Sequence, residues 1–183
     1  MLTRHFHFAL NEEAREAGGG RREAVTKPPR APAESAGVRV DPQLIYAVPL
    51  AAGLLLHRWH PLQTVPPRAA APVGIASLVL GLTLAVVTVR RFRWARTSLQ
   101  PWEPTATLIT DGPYQISRNP IYVSYALLYL GVGFWVNSLW PLVFLPLVFW
   151  VLHRVVISRE EAYLERRFGD VYRAYRHRVR RWF

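Results

Sequence analysis

The 183-residue chain contains no cysteine. Disulfide bonds, thiolate-held zinc, a cysteine nucleophile and palmitoyl attachment are thereby excluded. Acidic residues are scarce, 12 against 23 Lys+Arg, and none falls between Asp111 and Glu160. Residues 1–40 hold no apolar core of the length that a secretory signal needs, so none is expected. The pairs His5-x-His7 and His57-x-x-His60 have no carboxylate or thiol set beside them and are read as non-ligands, and no metal is expected.

Apolar residues, 51% of the chain, are gathered into charge-free runs separated by basic blocks. A soluble domain mixes the two classes, whereas this segregation suits a membrane protein with basic flanks. The first run, Leu44–Leu56, is short for a span of about 20 residues, but Asp41-Pro42 as a start and Trp59 as an interfacial anchor complete it. A proline-rich link with Pro61, Pro66, Pro67 and Pro72 leads to a second run that ends at Arg90-Arg91-Phe92-Arg93. From Asn119 to His153 no formally charged residue occurs. As one helix that stretch would be about 50 Å long, too long for a hydrocarbon core of about 30 Å. Two spans joined at Asn137-Ser138, between Trp135 and Trp140 and with Pro141 just inside the returning helix, fit better. Spans are therefore expected near 43–58, 72–91, 119–136 and 139–157.

Of the 23 basic residues, all but Arg58 and Arg68 fall in the N-terminal segment, the 90–118 loop or the region from Arg154 onward. Four spans place these three on one side, which the positive-inside rule makes the cytoplasm, both termini included. Residues 1–41, with Gly18-Gly19-Gly20 and Lys27-Pro28-Pro29-Arg30, bury too little apolar area to offset their ordering entropy and read as a disordered basic tail. Residues 42–183 form the membrane domain. Within it, Leu164, Phe168, Tyr172, Tyr175 and Val179 recur at spacings of three and four, which predicts an amphipathic interfacial helix over 158–181. The expected fold is all-α and polytopic, with four transmembrane helices plus that interfacial helix.

The conspicuous polar residues collect on the basic side: Thr97, Thr107, Gly112-Pro113-Tyr114 and Arg118-Asn119-Pro120-x-Tyr122 in or after the loop, then His153, Arg159 and Glu160-Glu161. Their order, Gly-Pro-Tyr, Arg-Asn-Pro-x-Tyr, a charge-free hairpin, Glu-Glu-x-x-Leu and Phe-Gly-x-x-Tyr-x-x-Tyr, resembles the integral membrane methyltransferases. That group contains the isoprenylcysteine carboxyl methyltransferases, phospholipid N-methyltransferases and small bacterial relatives. The likeness covers roughly residues 75–183. Asn119 stands where that family usually has His, and Ser124 where it often has Gly; an amide hydrogen-bonds but does not titrate near neutral pH.

The resemblance implies S-adenosyl-L-methionine as cofactor and a pocket between the loop and the C-terminal helix. Glu160 and Glu161 suit the cofactor's ribose and amino group, and Arg118 or Arg159 its carboxylate. Tyr114, Tyr122, Tyr172 and Tyr175 suit its sulfonium or adenine, with Asn119 and His153 beside them. Arg118, Asn119 and Glu160 are the catalytic candidates. The acceptor is expected to be lipid-borne or amphipathic, either a carboxylate or a phospholipid amine; an acceptor that is already nucleophilic is mildly favoured, because few bases are at hand. Nucleic acid is not expected as a partner, since topology accounts for the basic residues.

Plainer readings stand beside these. Asn119-Pro120 is an ordinary helix start, and the two glutamates are favourable in a first helical turn. Gly131-x-Gly133 and the Tyr172/Tyr175 stripe read better as packing, and His153 is undecided. The rival functions are a sterol-reductase-like enzyme using a reduced nicotinamide cofactor and a non-catalytic protein holding anionic lipid.

Overall fold

The computed structural model describes residues 25–26, 35–38, 40–100 and 102–182. Six α-helices account for most of them: α1 (Pro42–Trp59), α2 (Pro67–Trp94), α3 (Pro120–Trp135), α4 (Trp140–Leu152), α5 (Ser158–Phe168) and α6 (Asp170–Arg178). A π-helical turn, His153–Ile157, joins α4 to α5 without a break in the helix. Two two-residue strands, β1 (Val25–Thr26) and β2 (Leu108–Ile109), pair antiparallel and are a small addition to the all-α expectation.

The helix starts follow from local chemistry. The Asp41 carboxylate accepts the Gln43 N–H at 2.9 Å and proline opens α1. Proline also stands in the first turn of α2, α3 and α4, where its missing N–H costs nothing. The hairpin turn falls where expected, with Asn137 at φ +55°. Its side-chain oxygen accepts from Thr64 N at 3.0 Å and Val65 N at 3.1 Å, and its amide donates to Val65 O at 3.0 Å. The α3–α4 turn is thus tied to the α1–α2 link.

Helices α2 and α3 run side by side with their backbones nearly touching. A Cβ on Gly74 would lie 2.6 Å from Trp135 N, and one on Gly131 would lie 2.7 Å from Leu78 Cγ. Ser77 Oγ donates to Leu127 O at 2.7 Å along the same seam. Gly131 therefore serves packing, as small residues between apolar helices do. Gly53 of α1 meets Pro141 of α4 in the same manner, at 3.1 Å. The core between the helices holds Ile45, Tyr46, Ile121, Tyr129, Val148 and Leu152. Its phenols are satisfied, with Tyr46 Oη on Tyr122 O and Tyr129 Oη on Pro141 O, both at 2.9 Å.

Two helical stretches, Pro67–Trp94 and the continuous Trp140–Phe168, are long and apolar enough to cross a membrane, and Pro120–Trp135 is apolar but shorter. In the second of these the apolar part ends at Ile157, ahead of the acids. The expected interfacial helix is not continuous. Gly169, at φ +54° and ψ −125°, breaks it into α5 and α6, and Val179 leaves the helix in extended conformation. The apolar stripe survives the break: Phe168, Tyr172 and Tyr175, with Leu164 and Val179 beside them, pack on Leu108, Ile109 and Tyr114. Of the tail expected over 1–41, residues 1–24, 27–34 and 39 lie outside the described residues. Its last part is packed, with Val38 buried in the core and Ala36 against it.

Candidate functional site

The connector from α2 to α3 is pinned before it reaches the site. Arg91 Nη1, near the end of α2, pairs with Asp111 Oδ2 at 2.8 Å, and its guanidinium fills the space beside Gly112. Gly112 takes φ +58°, which favours glycine, and the 3-10 turn Gly112–Gln115 then carries Tyr114 inward. Phe92 meets the Tyr114 ring edge-on at 5.9 Å, and Tyr175 Oη donates to Tyr114 O at 2.8 Å. Farther back in the connector, Thr105 N donates to Tyr163 Oη at 3.0 Å. The loop is thereby fastened to α2, α5 and α6.

At the start of α3 the chain meets its own C-terminal segment. Arg118 N donates to Arg180 O at 3.0 Å, Ser117 Oγ to Arg181 O at 3.1 Å and Asn119 Nδ2 to Arg181 O at 3.0 Å. Asn119 occupies the cap position, but its side chain does not cap the helix. It is spent on the C-terminal carbonyl instead.

These elements enclose one cavity of about 840 Å³, counting the space at its open mouth. Arg118, Asn119 and Tyr122 line it from the start of α3, Tyr114 from the connector, and Glu160, Glu161, Tyr172 and Tyr175 from α5 and α6. Arg118 and Glu160 thus face the same space. Two expected residues do not line it. Arg159 is exposed and donates to Gly37 O at 3.2 Å, while His153 lies in the π-turn, its carbonyl accepting from Ser158 Oγ at 2.7 Å. Residues 153 and 160 are seven apart and would share a face of a regular α-helix, but the extra residue of a π-turn rotates them apart. Ser98, Gln100, Thr105 and Tyr163 also line the cavity. Only Tyr163, three residues after Glu160, carried a helical-spacing signal that placed it there.

The two adjacent acids have different surroundings. Both oxygens of Glu161 are taken by Arg181, with Nε on Oε1 at 3.0 Å and Nη2 on Oε2 at 2.7 Å. Arg118 Nη1 approaches Oε1 at 3.2 Å, an ion pair without hydrogen-bond alignment. Among the described residues Glu160 has no cation on it; Tyr122 Oη donates to its Oε1 at 2.8 Å. Its carboxyl lies past the apolar part of the helix, and burial pushes its pKa up to about 7, with the Tyr122 hydrogen bond opposing and Glu161 adding to the rise. Burial likewise raises the Tyr172 phenol to about 12, Glu161 adding and Arg118 opposing, and lifts Tyr114 and Tyr175 well above the usual range.

Arg118 is 9% exposed at its side chain, and its Nε and Nη1 are buried without a hydrogen-bond partner among the described residues. A buried guanidinium with free N–H groups is a receptor for a carboxylate. Beside it, Glu160 offers an acceptor for an amine or hydroxyl, and the tyrosines offer aromatic faces. The arrangement can hold a small zwitterion bearing an aromatic group. Among the described residues no cluster of three or more His, Asp or Glu suits a metal.

The sequence model of the phospholipid methyltransferase family matches residues 70–171. Three curated proteins match part of the chain. A protein-S-isoprenylcysteine O-methyltransferase of Schizosaccharomyces pombe is 38% identical over 72 residues, which are 39% of this chain and 30% of that one. An uncharacterized protein of Haemophilus influenzae is 39% identical over 64 residues, 34% of this chain and 98% of its own. The cobalt-zinc-cadmium resistance protein CzcN of Cupriavidus metallidurans is 38% identical over 64 residues, 35% of this chain and 30% of its own. The match thus spans under a third of the yeast and Cupriavidus proteins. No solved structure matches the chain.

Proposed function

We propose, for a chain that belongs to the phospholipid methyltransferase family, that it transfers a methyl group from S-adenosylmethionine to a lipid-borne or amphipathic acceptor at the membrane surface. The observation that carries this reading is the buried guanidinium of Arg118, with Nε and Nη1 lacking hydrogen-bond partners among the described residues, sharing one cavity with the carboxyl of Glu160, on which no described cation sits. The residues fit the cofactor: Arg118 receives its carboxylate, Glu160 its amino group or a ribose hydroxyl, and the tyrosine wall of Tyr114, Tyr172 and Tyr175 its adenine or sulfonium. When bound, the cofactor supplies an electrophilic methyl group whose departure leaves a neutral thioether.

The chain's own contribution is positioning and desolvation. Tyr122 fixes the rotamer of Glu160, and Glu161 holds Arg118 from behind. With Asn119 in place of an imidazole, and tied to Arg181 O, proton abstraction falls to Glu160 when the acceptor is an amine. A carboxylate acceptor, such as an isoprenylcysteine-like group, needs no base. The helices α1 to α4 cross the bilayer in this reading, with the site and both termini on the cytoplasmic side of an inner or plasma membrane.

The test is incubation of the purified protein, in lipid nanodiscs, with methyl-labelled S-adenosylmethionine and a total membrane extract. Label is expected in a lipid or amphipathic product. Calorimetry that finds tight binding of a reduced nicotinamide cofactor and none of S-adenosylmethionine overturns the proposal in favour of a reductase.

A further inference from the structure

We infer that Arg181, which does not line the cavity, is a positioning residue that keeps Arg118 available for an anionic ligand. The inference rests on the reading above, in which Arg118 receives the cofactor's carboxylate.

A carboxylate beside a buried guanidinium takes two of its N–H groups side by side, because fork and carboxylate match in geometry. Glu161 does not do this to Arg118. Its side-on partner is Arg181, which takes both oxygens at 2.7 and 3.0 Å. Arg118 meets only Oε1, at 3.2 Å and out of alignment, so among the described residues its Nε and Nη1 have no hydrogen-bond partner. Two guanidinium groups therefore share one carboxylate, and the surplus positive charge sits at the buried member, Arg118. Its side chain is 9% exposed against 32% for Arg181.

Arg181 is in turn held in place. Backbone and side-chain hydrogen bonds tie Arg180 and Arg181 to residues 117–119 at 3.0–3.1 Å. Trp182 packs edge-on against Phe149 of α4, with ring centroids 5.0 Å apart. The segment 180–182 is thus fastened to the same helix start that carries Arg118. A residue needed only to neutralise Glu161 would not require such a fixture, since Arg118 is already adjacent.

Without the Arg181 guanidinium, Glu161 turns onto Arg118 and consumes the N–H groups that the ligand requires. The protein then loses its preference for a ligand with a carboxylate over the same ligand without one. The experiment compares binding of S-adenosylmethionine and of decarboxylated S-adenosylmethionine by calorimetry, using the full chain in detergent, for wild type and for Arg181→Ala. Wild type is expected to favour the carboxylate form, and R181A to shrink that ratio on the order of tenfold, the effect of one charge-assisted interaction. Arg181→Lys keeps a charge without the fork and is expected to fall between the two; it serves as the readout if R181A does not fold. A loss of stability alone lowers both affinities together and leaves the ratio unchanged. An unchanged ratio in R181A, or in R181K where that is the readout, overturns the role of Arg181. A wild type that binds both compounds equally removes the Arg118 assignment, and the role of Arg181 with it. A wild type that binds neither overturns the methyltransferase reading itself.

Discussion

Glu160 and Glu161 are neighbours in sequence, yet replacing each by glutamine is expected to move stability in opposite directions. For Glu161 the magnitude is set by what its loss leaves behind. Arg181, with 32% of its side chain exposed, is largely screened by water and loses little, about 0–1 kcal/mol. Arg118, at 9%, has no other carboxylate within ion-pair distance among the described residues. A buried ion stripped of its partner costs about 3–5 kcal/mol. The amide oxygen of glutamine still accepts one hydrogen bond, so Glu161→Gln is expected to lose about 3 kcal/mol, the lower end of that range. Glu160 offers the reverse case, since among the described residues no cation compensates its half-buried charge and an amide still accepts from Tyr122. Unfolding by SDS in mixed micelles, followed by circular dichroism at pH 8, measures both. The reasoning fails if E161Q loses less than about 1 kcal/mol, the range of an exposed pair, or if the two variants lose stability equally.

Two further outcomes follow from the same geometry. Glu160 binds its proton more tightly in the folded than in the unfolded state, because its pKa rises from 4.5 to about 7. Its favourable contribution is therefore complete below pH 4.5 and is lost as pH climbs through about 7. Wild-type stability should decline across that window by an amount on the order of 3 kcal/mol that E160Q does not show; parallel pH profiles for the two proteins refute this. Gly74→Ala places a methyl group 2.6 Å from Trp135 N, where no flexible side chain can yield. A loss of about 1–3 kcal/mol is expected in the same unfolding assay, and a neutral result disproves the tight α2–α3 contact.

The parts of the fold that could be read from the sequence are those where one residue type answers one local need. Proline inside helix starts, Asn137 with φ above zero at the hairpin turn, and the basic ends of the apolar runs each fix a boundary without reference to the rest of the chain. The shared cavity was legible because the resemblance joined two distant motifs that spacing alone leaves unconnected. Other features depend on long-range partners. The stripe from Leu164 to Val179 keeps helical spacing through Gly169, so nothing in the pattern announces the break there. Asn119 looks like a cap and is diverted to Arg181 O because the C-terminal segment arrives beside it. Ala36 and Val38 sit in a stretch whose composition reads as solvated, and their burial is decided by the groove that receives them. The π-turn that carries His153 off the site has no periodic signature at all.

The near-contact of α2 and α3 has a mechanical consequence for the cavity. Helices whose backbones meet at Gly74 and Gly131 leave no room for a side chain between them and form one packed strut. The connector that supplies Tyr114 and Arg118 leaves one member of this strut and returns to the other, with Arg91 bracing it at Asp111. The same close packing reaches Gly81, where a Cβ would come within 3.0 Å of Ser124 O, so both ends of the connector are rooted in one tightly packed pair of helices.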